Sequence, residues 1–319
     1  MRALLMVQCG QSPVVGPRDL AGRGTRVAVT AAPITPLDLL CASGTSYFGA
    51  PAVPYVPGVQ GVGTLDDGTP VWFATDAGMR AGDGSMAEYA DVDPSDIVAL
   101  PAGAEPTLVA ALGLSAVAAW QSLTSCGDLH HGEQVLVLGG GGIVGQAAIQ
   151  IARLLGARRV VAACRSAAAQ SRATSLGADA VVPLRDNDTV ADLAARLRPA
   201  LDGPLDLVLD PLFGIPAAAA LQVLRPGGRL VNLGGSASPT APFDSATLRS
   251  GSLRILGYTN TTLTKPERAE TMRTIAGHAA AGRLTVSYQA VPLDEAPAAW
   301  TAQATGTAPA RMVLSPSAR

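Results

Sequence analysis

The stretch VLVLGGGGIVGQAAIQIARLLGA at residues 135–157 constrains the fold of this chain more than any other segment. Gly140, Gly142 and Gly145 form G-x-G-x-x-G between an apolar run typical of a strand and a segment with helical periodicity. In this pattern the first glycine permits a tight turn, the second lets the backbone approach a pyrophosphate, and the third permits close helix–strand packing. The helix N-terminus also attracts phosphates. The motif predicts a dinucleotide-binding loop; the alternative is a fold that keeps the loop without a ligand.

Beyond residue 108 the chain alternates short apolar runs with helical stretches, which indicates βαβ units and a parallel sheet covered on both faces. The predicted strands are 135–138, 160–164, 180–182, 205–209, 230–233 and 254–257. The predicted helices between them are 142–155, 167–176, 189–197 and 215–224. Six strands with these crossovers predict an α/β fold with a Rossmann doubly wound parallel six-stranded sheet.

The first hundred residues carry short β-branched runs separated by proline and glycine clusters, which predicts an irregular, mostly β domain. The tail returns to that pattern, with helices at 266–281 and 294–304 and strands at 287–291 and 310–314. We therefore expect the sheet domain to be inserted in the β domain. The predicted boundaries are 1–115 with 260–319 for the β domain, and 116–259 for the dinucleotide-binding domain.

The end of the second predicted strand decides which nicotinamide cofactor the loop favours, because an acidic residue there binds the ribose 2′-hydroxyl of NAD. This chain has no carboxylate at that point; Arg165 and Ser166 follow the strand and are suited to a 2′-phosphate. The sequence therefore favours NADPH over NADH. In the alternative interpretation Arg165 is only a solvated residue after a strand.

Charge and cysteine usage exclude several classes of protein. The net charge of −2 leaves no electrostatic footprint for nucleic acid or an anionic membrane. Four cysteines lie far apart without C-x-x-C spacing, which argues against a disulfide scaffold and a structural zinc lobe. The N-terminus lacks the features of a signal peptide, and prolines, glycines and Glu105 interrupt the longest apolar segment, at 101–120. We expect a cytoplasmic protein without a membrane span.

Seven segments together resemble the zinc-independent quinone oxidoreductase branch of the medium-chain dehydrogenase/reductase family. They are APITPLDLLCASG at 32–44, VPYVPGVQGVG at 53–63, GSMAEYADVD at 84–93, the glycine segment at 135–157, LGADAVV at 176–182, LRPGGRLVNLGG at 224–235 and VPLDEAPAAW at 291–300. The resemblance covers almost the whole chain. It implies a GroES-like β domain that binds substrate, joined to the Rossmann domain.

The resemblance also implies that the chain binds no metal. Zinc-dependent relatives carry metal ligands where this chain has Thr35, Val59 and Leu112, and none of these three residues suits zinc. Metal-polarised alcohol oxidation is therefore not expected. Without a Lewis acid, hydride transfer favours an acceptor whose developing charge is delocalised onto oxygen, such as a quinone or an enone.

Candidate catalytic and substrate residues follow from the same resemblance. Tyr47 matches a tyrosine proton donor of similar enoyl-thioester reductases, and the alternative is that it forms a pocket wall with Phe48. Thr35 is a candidate for binding substrate or ribose. Asp38 is a second substrate candidate, but it is equally suited to capping the helix that begins there. Ser115 is a candidate beside the nicotinamide, or else a helix N-cap.

The remaining candidates bind cofactor. They are the loop and helix residues Gly140, Gly142, Ile143, Val144 and Gly145, the strand-end residues Arg165 and Ser166, and Gly234, Gly235 and Ser236 beside the nicotinamide ribose. Quinone reductases often place a lysine where this chain has Ala169, so Arg165 and Arg172 have to bind the 2′-phosphate alone.

The sequence thus predicts an NADPH-dependent reductase of quinones or small α,β-unsaturated carbonyls (enones). An enoyl-thioester reductase of a biosynthetic pathway and a non-catalytic NADP-binding protein are the alternatives. Because relatives pair the edge strand at 254–257 across a two-fold axis, we also expect a homodimer.

Overall fold

The computed structural model describes residues 1–316 and divides the chain into two compact units. One consists of Met1–Leu114 with residues 264–316, and the other of Ser115–Leu263. The chain therefore leaves the first unit after Leu114 and returns to it at Thr264. We call them the β unit and the nucleotide unit.

The N-terminal part of the β unit is built from short strands and one helix. Its elements are β1 (Arg2–Leu5), β2 (Val14–Pro17), β3 (Thr25–Pro33), α1 (Pro36–Ser43), β4 (Gln60–Thr64), β5 (Pro70–Ala74), β6 (Tyr89–Val92) and β7 (Ile97–Ala99). Strands β1 and β2 pair antiparallel, and β3, β4, β5 and β7 form an antiparallel sheet with β6 also paired to β3. The proline-rich segment between α1 and β4 contains no regular strand or helix, as its prolines predict.

Helix α2 (Pro106–Gln121) is followed by a π-helical turn at Ser122–Cys126. Its backbone bends at Gly113, where φ is 30° and ψ is −133°. The position requires glycine, because a Cβ there would lie 1.9 Å from the Gln60 Oε1. The stretch Pro106–Cys126 is long and apolar enough for a membrane span, but 61% of its most apolar window is buried inside the fold. This burial is the environment of a core helix.

The nucleotide unit alternates strands and helices along the chain. In order they are β8 (Gln134–Leu138), α3 (Ile143–Leu154), β9 (Arg159–Cys164), α4 (Ala167–Ser175), β10 (Ala180–Pro183), α5 (Val190–Leu197), β11 (Leu205–Asp210), α6 (Gly214–Leu221), β12 (Leu224–Asn232), α7 (Ser245–Gly251) and β13 (Arg254–Gly257). The strands form a parallel sheet in the order β10-β9-β8-β11-β12-β13. This is the strand order of a dinucleotide-binding Rossmann fold.

The chain then completes the β unit with α8 (Lys265–Ala280), β14 (Tyr288–Pro292), α9 (Ala296–Ala304) and β15 (Arg311–Ser315). Strand β15 pairs antiparallel with β3 and parallel with β14, which extends the first sheet. Thr264 caps the N-terminus of helix α8: its hydroxyl accepts the Glu267 N–H, and the Glu267 carboxylate accepts the Thr264 N–H. This capping box fixes where the chain re-enters the unit.

Each unit has its own apolar core. In the β unit, Trp300 of α9 and Leu314 of β15 belong to the same buried cluster as Phe73 of β5 and Val29 of β3. The nucleotide unit buries β8, β9 and β11 completely or almost so, which is typical of a parallel sheet covered by helices.

The predicted fold class is confirmed, with differences at the ends of elements. Strand β12 begins at Leu224 rather than near residue 230, because Leu224 pairs with Leu205 before the register shifts across the Pro-Gly-Gly turn. Helices α2 and α7 and the pair β1–β2 are not predicted by the sequence pattern.

Candidate functional site

The carboxyl edge of the parallel sheet is the region of the nucleotide unit where a ligand is expected. Strands β8 and β11 are neighbours although two other strands separate them in sequence, so the strand order reverses between them. In doubly wound sheets, ligands bind in the crevice outside the carboxyl ends of the strands at such a switch point. The glycine segment follows β8 at this position.

The turn after β8 depends on Gly139, and not on Gly140 as the motif predicts. Gly139 has φ of 66°, a left-handed conformation that favours glycine. Gly140 instead permits a close approach, since a Cβ there would lie 3.0 Å from the Ala162 Cβ and 3.1 Å from the Cys164 Sγ. The sequence does indicate Gly139, because residues 139–142 are four consecutive glycines and the motif uses only two of them.

The other two motif glycines have opposite surroundings. A Cβ at Gly145 would lie 2.3 Å from the Gly139 carbonyl oxygen and 2.7 Å from the Gly140 Cα, so only glycine fits. A Cβ at Gly142 would meet nothing nearer than 3.6 Å. Gly142 is the N-cap of α3, and no side chain caps this helix. The N–H groups of Ile143 and Val144 in its first turn are therefore left without a side-chain cap, and such a helix N-terminus fits a pyrophosphate.

Helix α4 packs against the glycine segment and places the second candidate group beside it. A Cβ at Gly141 would lie 2.6 Å from the Ala169 Cβ. Ser166 is the N-cap of α4, and its hydroxyl accepts the Ala169 N–H at 3.2 Å. The Arg165 side chain is 72% exposed, and its Nε lies 3.8 Å from the Asp186 carboxylate. The guanidinium is thus accessible to solvent at the carboxyl edge of the sheet. Its acidic neighbour, Asp186, is not indicated by the sequence pattern.

The ends of β11 and β12 are joined through the buried carboxylate of Asp210. Its Oδ1 accepts the N–H groups of Leu212 and Phe213 at 2.9 and 2.8 Å, and its Oδ2 accepts the Asn232 amide at 2.9 Å. The same amide nitrogen donates to the Gly234 carbonyl at 2.8 Å. Burial raises the pKa of Asp210, and these hydrogen bonds oppose that rise. Sequence reasoning missed Asn232, although a polar residue before two glycines at a strand end is a usable signal.

The predicted segment Gly234–Ser236 lies against the residue that follows Asp210. The Ser236 N–H and hydroxyl both donate to the Pro211 carbonyl, at 3.2 and 3.0 Å. A Cβ at Gly234 would lie 2.9 Å from the same oxygen, and one at Gly235 would lie 3.0 Å from the Ser238 oxygen. The glycine segment, Arg165, Ser166 and Gly234–Ser236 therefore share the carboxyl edge of one sheet.

In the β unit, Thr35 and Asp38 form a buried capping box at the start of α1. The Asp38 Oδ2 accepts the Thr35 N–H at 2.8 Å and its hydroxyl at 2.6 Å, and the Thr35 Oγ1 accepts the Asp38 N–H at 3.2 Å. The Asp38 Oδ1 accepts the Gly58 and Val59 N–H groups at 3.1 and 2.9 Å. Burial raises the Asp38 pKa against these bonds. The geometry is that of a helix cap. The Asp38 carboxylate therefore serves mainly as an acceptor for backbone N–H groups.

The positions where relatives bind zinc do not form a metal site. Val59 and Leu112 are apolar and buried, and the Thr35 hydroxyl already donates to Asp38. Within residues 1–316, no three histidine, cysteine, aspartate or glutamate side chains are grouped to hold a metal ion. The residues present therefore do not fit a catalytic zinc.

Tyr47 and Ser115 are placed differently from the buried candidates. The Tyr47 side chain is 75% exposed, and its ring centroid lies 4.3 Å from that of Phe48. Ser115 is half-buried within the second half of α2, just after the bend at Gly113. The N–H of Leu114 at this bend donates to the Gln60 side chain at 2.7 Å. Gln60 therefore caps the second half of the helix.

Residues 144–277 match a family model described as zinc-binding dehydrogenase. The chain is 29% identical over 276 residues to a phenolphthiocerol/phthiocerol polyketide synthase of Mycobacterium tuberculosis, a match that covers 81% of this chain but 12% of that protein. Trans-enoyl reductase pgmF of Aspergillus terreus is 30% identical over 241 residues, covering 69% of this chain and 64% of that protein.

A solved structure is similar over nearly the full length. The quinone oxidoreductase from Thermus thermophilus matches with a TM-score of 0.83 and 26% identity, and the match covers 99% of this chain and 100% of that chain. The family match, this structural match and the two-unit fold with its glycine segment agree. The chain belongs to the medium-chain dehydrogenase/reductase family.

Proposed function

We propose that the chain is an NADPH-dependent oxidoreductase that transfers hydride to a quinone or a small enone without zinc. The observation that supports this most is the uncapped N-terminus of α3 beside the open face of Gly142. The absence of metal-ligating side chains at Thr35, Val59 and Leu112 supports the zinc-independent part.

The chain's own residues have distinct tasks in this proposal. The α3 N-terminus binds the pyrophosphate through backbone N–H groups, and Arg165 with Ser166 binds the 2′-phosphate. Residues Gly234–Ser236 orient the nicotinamide ribose. The bound cofactor supplies the hydride, and charge that develops on the acceptor is delocalised onto its oxygen. The protein contributes mainly orientation and the exclusion of water.

Tyr47 is the proposed hydrogen-bond or proton donor to the acceptor oxygen, since its phenol is exposed and its O–H group can donate. Its contact with Phe48 equally suits a pocket wall. Thr35 is a less suitable donor because its hydroxyl proton is directed to Asp38.

Reduction of an enoyl thioester is the second candidate function. The curated relatives favour it, since one is named a trans-enoyl reductase and another is part of a polyketide synthase. The chemistry is the same, because a thioester carbonyl conjugated to a double bond also accepts hydride at its β-carbon. A non-catalytic NADP-binding role is the third. We also propose a cytoplasmic homodimer paired through β13, whose outer edge has no strand partner within residues 1–316.

NADPH oxidation by the purified protein, measured against panels of quinones, small enones and enoyl thioesters, tests these functions together. We expect the highest kcat/KM with a quinone or a small enone. A higher kcat/KM with the thioesters would select the second function. If NADPH binds but no acceptor is reduced, both enzymatic functions are contradicted, and the non-catalytic NADP-binding role is the function that remains.

Arg165→Ala is expected to raise the NADPH dissociation constant about tenfold or more, since charge-assisted bonds to phosphate contribute about 1.5–3 kcal/mol. The NADH dissociation constant should change less than twofold, because NADH has no 2′-phosphate. Fluorescence titration with both nucleotides measures the difference. Arg158→Ala is the matched control, since Arg158 forms an ion pair with Asp202 at the opposite edge of the sheet. Equal losses for NADPH and NADH would contradict the assignment of Arg165.

A further inference from the structure

Two phenylalanines of the nucleotide unit form an aromatic pair that the proposed cofactor-binding residues do not include. The ring centroids of Phe213 and Phe243 lie 6.5 Å apart, and the rings meet edge to face at 79°. The Phe243 side chain is 38% exposed, and Phe213 is half-buried. A partly exposed aromatic pair leaves ring surface available for a third aromatic group.

The backbone of Phe213 is held in a conformation that non-glycine residues rarely adopt. Its φ is 59° and its ψ is −158°, and Gly214 follows with φ of 65°. The Asp210 carboxylate holds this turn through the Phe213 N–H at 2.8 Å. Strained residues of this kind concentrate at ligand sites, where the surrounding structure maintains them.

The pair lies on the half of the sheet that is expected to receive the nicotinamide. A Rossmann sheet consists of two mononucleotide-binding halves, one for each nucleotide of the cofactor. The glycine segment, Arg165 and Ser166 belong to the half with β8, β9 and β10, which leaves β11 and β12 for the nicotinamide. Phe213 is the third residue after the end of β11. A Cβ at Gly214 would lie 2.9 Å from the Ser238 Cβ, two residues beyond Ser236.

We propose that Phe213 and Phe243 form the aromatic wall against which a planar ring acceptor, such as a quinone, lies beside the nicotinamide. This inference rests on the proposed function and adds the specificity-determining residues. A flat, conjugated ring gains contact with both phenylalanines, whereas a short open-chain enone is too small to gain as much. The buried Asp210 carboxylate is a positioning group that sets the Phe213 backbone.

Phe243→Leu tests the wall because it keeps an apolar side chain but removes the ring. We expect KM for a naphthoquinone to rise about fivefold, with kcat within twofold and with KM for an open-chain enone and the NADPH dissociation constant unchanged. Leu154→Ala is the matched control, since Leu154 is also 38% exposed but ends α3, away from the carboxyl edge. A second variant is Phe213→Gly, because glycine adopts the positive φ of this position without strain. It should also raise KM for the naphthoquinone.

Direct binding of the naphthoquinone to the NADP⁺-loaded protein separates this inference from the proposed function. If no acceptor is reduced but Phe243→Leu still weakens quinone binding about fivefold relative to Leu154→Ala, the wall stands and the proposed function fails. Equal quinone binding in the parent and in both phenylalanine variants would overturn the wall even in an active reductase. A rise in the NADPH dissociation constant without a change in quinone binding would also overturn it, because the pair would then contact the cofactor.

Discussion

Gly145→Ala is expected to lower the free energy of unfolding of the nucleotide unit by about 3 kcal/mol, the upper part of the range for overpacked positions. The physical reason is that its Cβ would stand 2.3 Å from the Gly139 carbonyl oxygen, and both contacting groups are backbone that cannot rotate away. In a unit of this length the change corresponds to a Tm lower by about 6–12 °C. Thermal unfolding followed by circular dichroism measures it.

Gly142→Ala is the matched control within the same motif. A Cβ there has at least 3.6 Å of clearance and the backbone φ is −75°, so we expect an unchanged Tm. The new methyl group instead occupies the open face assigned to the pyrophosphate, and the NADPH dissociation constant should rise about tenfold or more. A Tm loss in Gly142→Ala as large as that in Gly145→Ala would contradict the division of roles.

Arg229→Met is expected to destabilise the nucleotide unit by about 3–5 kcal/mol, because it leaves a partly buried carboxylate without its main partner. The Arg229 side chain is 4% exposed and binds both Glu133 oxygens, at 2.7 and 2.6 Å. It also donates to the Gly127, Asp128 and Asp206 carbonyls at 2.6, 2.7 and 3.2 Å, so the variant loses five hydrogen bonds around one side chain. Thermal or urea unfolding at pH 7 measures the loss.

The control for this change is Arg26→Ala, which removes the exposed ion pair with Asp66 and should leave the Tm nearly unchanged.

The pH dependence of stability provides a second check on the Arg229–Glu133 ion pair. Burial alone would raise the Glu133 pKa, but the hydrogen bonds and charge of Arg229 bring it below its ordinary value. A lowered folded pKa means that the stabilisation is present above about pH 4.3, the ordinary glutamate value, and is lost as the pH falls through the folded pKa. The stability difference between parent and Arg229→Met should therefore narrow below about pH 4. A constant difference would contradict the ion-pair explanation.

The sheet of the nucleotide unit could be predicted because each buried strand is a short apolar run between turn residues. Strand β13 was predicted at its observed bounds, and α3 within one residue at each end. Strand β12 was predicted too short because its first half contains Pro226, Gly227 and Gly228, which are turn residues in isolation. Pairing with β11 keeps this segment in the sheet, and a local pattern does not contain that tertiary contact.

The candidate site could be located from the sequence, but the roles within it depended on contacts. The motif identified the edge of the sheet, while the left-handed turn moved by one residue to Gly139. The sequence leaves Asp38 with two interpretations, and its two hydrogen bonds with Thr35 favour the helix cap. Its other oxygen binds the Gly58 and Val59 N–H groups, a contact that no sequence pattern indicates. The Phe213–Phe243 pair joins residues thirty positions apart through an unusual backbone conformation, so no sequence period indicates it.

The contact between Gly141 and Ala169 has a consequence for protein engineering. Because Ala169 touches the phosphate-binding segment, a larger residue introduced there to change the nucleotide preference would also press on the pyrophosphate site. A substitution at position 169 would therefore change both the preference between NADPH and NADH and the overall affinity for the nucleotide. These two properties are separable at Arg165, whose side chain is 72% exposed beyond the packed contact. A library intended to exchange one nicotinamide cofactor for the other should begin at Arg165 and leave Ala169 small.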